Sequence, residues 1–76
     1  HPGVRLTLLL PEKPGVLASV AGAIAGIGGN IISLATFEGE DQTNHYCTVK
    51  VEGAPREKLV AALVPVVQKV VNVLER

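Results

Sequence analysis

Cys47 and His45 stand two positions apart in the run HYC and are the side chains best suited to nucleophilic chemistry. A thiolate working with an imidazole needs the two groups facing each other and a third group to orient the base. On a strand, positions i and i+2 share a face. Here that face continues through Val49 and Val51 and reads as core, where a cysteine behaves as a small hydrophobe. One cysteine and one internal histidine are too few ligands for zinc. Glu38, Glu40 and Asp41 could hold a hard cation, but their spacing lacks the calcium-loop pattern, and they read as a solvated turn. No catalytic residue, metal site or cofactor is assigned.

Recognition chemistry is more promising around Gly15–Gly29. This uncharged run is preceded by Glu12-Lys13-Pro14 and followed by Asn30. It is too short for a membrane span, which needs about 20 apolar residues. It is no dinucleotide loop either, because Gly26, Gly28 and Gly29 fall at the end of the predicted helix, not before it. A buried helix explains it. The helix start offers unpaired N–H groups and a positive dipole end, which suit a small carboxylate. Pro14 fixes the entry angle there, and Gly15 admits a ligand close to the backbone. Asn30 supplies a donor and an acceptor suited to an ammonium or a carboxylate; on its own it also reads as a helix cap.

The elements that must position these residues follow from periodicity. Val4–Leu10 alternates as a strand that Pro11 stops. Gly15–Ile27 reads as a helix with an apolar stripe of Leu17, Val20, Ala21, Ile24 and Ile27. Its small residues Ala18, Ala21, Gly22, Ala25 and Gly26 are expected to pack closely on the sheet or the second helix. Gly28-Gly29-Asn30 ends it. Ile31–Glu38 and His45–Val51 read as strands joined by the polar turn GEDQT. A second helix opens at Pro55 with Leu59, Ala62, Leu63 and Val66 on one side. Pro65 ends it near Val64, with one irregular turn after. Val70–Leu74 closes the chain as a strand. The order β-α-β-β-α-β predicts an α+β, ferredoxin-like sandwich with a four-stranded antiparallel sheet and two helices on one face. Leu6, Leu8, Cys47, Val49 and Val51 are its inward strand positions.

Composition narrows the function classes. Seven basic and seven acidic residues cancel, which argues against nucleic acid or an anionic membrane as partner. The fold also occurs in RNA-recognition modules and acylphosphatases. The first needs aromatics on the two central strands, and the chain has only Phe37 and Tyr46. The second needs an arginine in the first strand-helix loop, where only Lys13 stands. A chain that is 47% hydrophobic and only 76 residues long carries more aliphatic surface than one small core hides. A homodimer or larger self-assembly, or an attached domain, is therefore expected. The lone cysteine gives no sign of an oxidising compartment. The absence of methionine even at position 1 reads as a single domain, residues 1–76, cut from a longer protein, with His1 a tag remnant.

The stretch PEKPGVLASVAGAIAGIGGNI resembles the signature of the ACT domain, a small regulatory module. Pro14, Gly15, Leu17, Ile24, Ala25, Gly28, Asn30 and Ile31 sit where that pattern asks. The resemblance implies a non-catalytic, cytoplasmic domain that pairs with itself and binds a small effector, an amino acid, between protomers to control an attached domain. It implies ligand contacts from Lys13, Pro14, Gly15, Val16 and Leu17, then Asn30 and Ile31. The end of the chain, LVPVVQKVVNVLER, is similar to ACT domains appended to CBS domains, including acetoin utilisation proteins. Gly29 stands where members often carry a larger residue. The acidic region after Phe37 lacks a partner for a polar side chain, which favours a small apolar amino acid. A dimerisation module without ligand is the alternative reading.

Overall fold

The computed structural model describes residues 3–75; His1, read as a tag remnant, lies outside them. The elements are β1 (Val4–Pro11), α1 (Val16–Gly26), β2 (Asn30–Glu38), β3 (Asn44–Glu52), α2 (Arg56–Leu63) and β4 (Lys69–Glu75). The expected order therefore holds, with strand ends shifted by a residue or so. The four strands form one sheet in the order β2-β3-β1-β4, each neighbouring pair antiparallel. Alternation puts Leu6, Leu8 and Leu10 of β1 and Cys47, Val49 and Val51 of β3 on the helix side, all fully buried. Val20 and Ile24 of α1 and Leu59 and Leu63 of α2 complete that core.

The buried stripe of α1 differs from the expected one. Gly15, at φ 84°, turns the chain left-handed, so the helix begins at Val16. The stripe then runs Val16, Val20, Ile24 in four-residue steps. Leu17, one position on, rotates outward and is 38% exposed. The small residues also fall elsewhere than expected. Ala18, Gly22, Ala25 and Gly26 face outward, and a methyl group at either glycine would meet open space. They line the outer face of α1 and do not pack against sheet or helix. The helix ends as predicted, with Gly28 at φ 84° and its N–H donated to the Ala25 carbonyl.

Pro65 also acts as expected. After Leu63 the chain makes one irregular turn in which Val66 and Val67 both donate to the Leu63 carbonyl. Gln68 then donates to the Leu9 carbonyl and starts β4.

The helix layer stops short of β2. Every residue of that edge strand from Ile32 to Glu38 is exposed. A bulge between Ile31 and Ser33 leaves Ile32 as the extra residue. Leu34 pairs with Val49 and so lies on the helix side, yet it is 39% exposed. The outer face of α1 and the Ile32 and Leu34 positions of β2 both expose apolar groups. Among the described residues, no helix is long and apolar enough to cross a membrane.

Candidate functional site

A strand-helix-strand crossover sets α1 antiparallel to β1 and β2. The start of α1 therefore lies beside the end of β2. The β2–β3 hairpin rises on the third side, and an open cleft of about 950 Å³ lies between these three pieces. Its walls include Lys13, Gly15, Val16 and Leu17 from the entry to α1, and Thr36 and Phe37 from β2.

The α1 end of the cleft is built to receive charge. No side chain caps the helix and no acidic residue stands in its first turn. Its first N–H groups and the positive end of its dipole are left without a protein anion. Lys13 lines the same end.

The hairpin wall is acidic, with Glu38, Glu40 and Asp41, and Glu12 adds a carboxylate next to Lys13 in the loop before α1. The hairpin is held by Asn44, which is 92% buried by its 8% exposure. Its Oδ1 accepts from the N–H of Glu40 at 2.8 Å and of Asp41 at 3.3 Å. Its amide donates to Gln68 Oε1 at 3.5 Å, tying the hairpin to the start of β4. A side chain at Gly39 would collide with Asn44, so only glycine fits there. Asp41 accepts from both the hydroxyl and the N–H of Thr43, and these bonds hold its carboxyl below the ordinary 3.8. The Glu12 N–H donates to the Thr43 carbonyl at 2.8 Å, joining the two acidic segments.

His45 lies within this lining and is mostly buried. Its Nδ1 comes within 3.4 Å of Glu12 Oε2, but has no hydrogen-bond partner among the described residues. A buried nitrogen left so is a demand for a polar group. Cys47, two residues on, is fully buried, and burial pushes its thiol pKa up, away from the reactive thiolate. Burial and a raised pKa both work against a thiolate at Cys47. Among the described residues, no group of three or more His, Cys, Asp or Glu is placed to hold a metal.

The seven residues expected to bind ligand divide between two places. Lys13, Gly15, Val16 and Leu17 line the cleft, and Pro14 sits among them in the chain without lining it. Asn30 and Ile31 open β2, at the other end of α1. Eleven residues at about 1.5 Å rise put those ends about 16 Å apart. A single small molecule does not bridge that distance within one protomer. The cleft contribution of Thr36, Phe37, Asn44 and His45 was not read from sequence. The available signal was the alternation of β2 and β3, which puts Thr36 and His45 on the helix side just past the core.

The profile of the TTHA0829-like ACT domain family matches residues 2–74. No curated protein matches the chain in sequence. Among solved structures, the chain resembles a formyltetrahydrofolate deformylase from Pseudomonas syringae pv. tomato (TM-score 0.74, 14% identity), over 97% of this chain and 27% of that one. It resembles the ligand-free regulatory subunit of aspartate kinase from Thermus thermophilus (TM-score 0.71, 21% identity), over 97% and 50%. It also resembles the ACT domain of a GTP pyrophosphokinase from Chlorobium tepidum (TM-score 0.54, 19% identity), over 99% and 95%. At these identities the likeness is one of fold. The chain spans between about a quarter and a half of the first two proteins.

Proposed function

The chain belongs to the TTHA0829-like ACT domain family, and from that premise we propose that it is a non-catalytic, cytoplasmic regulatory domain. It pairs with itself and binds an amino acid between protomers, to control a domain attached in a longer protein. A parent of the CBS-domain or acetoin-utilisation type fits this reading.

The cleft at the start of α1 carries the proposal. A zwitterion has two ends, and this cleft has two matching walls. The ligand carboxylate would face Lys13 and the uncapped N–H groups of α1. Its ammonium would face Glu38, Asp41 and Glu12, with Nδ1 of His45 open to a polar contact. Gly15, Val16 and Leu17 would form the apolar floor, entered past Pro14.

Asn30 and Ile31 join the site through symmetry. Two copies pairing antiparallel along β2 would set the start of one strand beside the end of the other. Asn30 and Ile31 of one copy would then close the cleft of its twin. Two observations favour that pairing. The β2 edge is unpaired, with Ile32 38% and Leu34 39% exposed, and such edges invite another strand. The outward Ala18, Gly22 and Ala25 beside it would let two α1 helices approach closely. Ligand binding would regulate by its difference in affinity for two pairing geometries.

The test is a calorimetric titration with each of the twenty amino acids, with sedimentation to report the oligomer. The proposal expects a dimer that binds one or a few amino acids, with amide shifts at Gly15 and Asn30. A dimer silent to the whole panel would leave a dimerisation module without ligand. A monomer would remove both readings.

A further inference from the structure

The sheet face without helices carries a second pattern, which shares only Phe37 with the cleft lining. Register and alternation place its residues in three rows across the strands. One row is Phe37, Tyr46, Leu9 and Lys69. The next is Ala35, Thr48, Thr7 and Asn72. The third is Ser33, Lys50, Arg5 and Leu74. The first row is mainly apolar: Phe37 is 54% exposed, while Leu9 beneath it is buried.

Arg5 and Lys50 are directly opposite each other in the β1–β3 ladder. Two like charges in that position repel. Neither has a salt bridge among the described residues that would offset this; Glu52, two residues past Lys50 on β3, shares the face and is itself engaged. Thr7 and Thr48 are paired beside them and add hydroxyl donors. The whole chain is neutral. Four of its seven acidic groups, Glu12, Glu38, Glu40 and Asp41, gather around the cleft instead. On the open sheet face Arg5, Lys50 and Lys69 stand against Glu52, which leaves that face with a net positive charge.

We propose that this face docks an acidic protein segment, with carboxylates on Arg5 and Lys50 and an apolar side chain on the Phe37–Tyr46 row. Four residues of β3, from Tyr46 to Lys50, separate the two rows, about 13 Å along the strand at roughly 3.3 Å per residue. An extended partner would therefore carry its acidic residues up to about four residues from its apolar anchor. A second copy is disfavoured, because its matching face is cationic too. A nucleic acid is disfavoured by the neutral chain and the acidic rim beyond the Phe37 row.

The probe is a synthetic decapeptide with glutamates two and four residues from a phenylalanine, so that all three side chains fall on one face of an extended strand. It is titrated into the full chain by fluorescence anisotropy and amide NMR. Controls are a lysine-for-glutamate peptide and a ten-nucleotide oligouridylate. The expected result is binding of the acidic peptide alone, weakened by salt, with shifts at Thr7, Thr48 and Lys50. Affinity falls at least tenfold in Arg5→Gln/Lys50→Gln, whose amide spectrum otherwise matches the parent; single Arg5→Gln, expected to fall at least threefold, stands in if the double variant fails to fold. Equal or tighter binding of oligouridylate overturns the proposal. So does peptide binding that maps to Gly15 and Leu17, that survives the substitutions, or that is absent. None of these outcomes bears on amino-acid binding in the cleft.

Discussion

Gly15 and Asn44 hold the cleft open from opposite sides, and each does so for a reason that substitution can isolate. Gly15 adopts φ 84° with nothing near the place where a Cβ would stand. Gly15→Ala therefore probes conformation and not space, and should cost about 1–2 kcal/mol in urea unfolding. Asn44→Ala leaves the N–H groups of Glu40 and Asp41 without their acceptor in a partly buried place. It should cost about 1–3 kcal/mol, and amide exchange at those two positions should quicken. Cys47 should resist iodoacetamide at pH 8 in the folded protein and react once urea unfolds it, because burial raises its pKa. Rapid alkylation of the native protein would mean the core is not closed over β3.

At the scale of elements, the hairpin and the β2 edge respond to different variables. Thr43 holds the Asp41 carboxyl below 3.8, so the charged form is the one the folded turn favours. The stability this adds is fully present above 3.8 and is lost as pH falls below it. Amide shifts of Glu40 and Thr43 should therefore titrate at a pH below that of Asp41 in an unfolded peptide; a midpoint at or above 3.8 would contradict it. On the open face, Lys50→Glu turns the repelling pair with Arg5 into an attracting one. It should raise stability by about 0.5 kcal/mol, read as a higher urea midpoint. Element order was legible because β1, β3 and α2 carry strong periods and because Gly28 and Pro65 end helices by stereochemistry. The face of α1 was not legible. Its sequence is apolar or small all round, so Leu17 and Val16 compete for the core, and only the left-handed Gly15 decides which faces in. The places of Lys13 and Gly15 in the cleft lining were legible from the loop they occupy. Those of Thr36 and His45 were not, because they depend on which strand ends lie beside the start of α1.

For the whole molecule, the arrangement has two consequences. The helix layer leaves β2 uncovered, so the chain presents an edge and an apolar strip that a twin would complete. If two copies pair along β2 as proposed, Leu34→Lys, on that strip, should shift the protein towards monomer in sedimentation while leaving the fold intact, since Leu34 lies outside the core. Most of the acidic side chains gather on one wall of the cleft, while the helix-free sheet face carries a net positive charge. A site completed by a twin predicts more than a binding constant. It predicts that two defective copies repair each other. The direct measurement uses the amino acid that titrates the parent protein and two non-binding variants, Lys13→Glu/Gly15→Ala and Asn30→Ala. Mixed in equal amounts and allowed to exchange subunits, they should regain about a quarter of the sites, because half the dimers are mixed and each mixed dimer holds one intact cleft. No regain on mixing, with subunit exchange demonstrated, would contradict an amino-acid site shared between protomers.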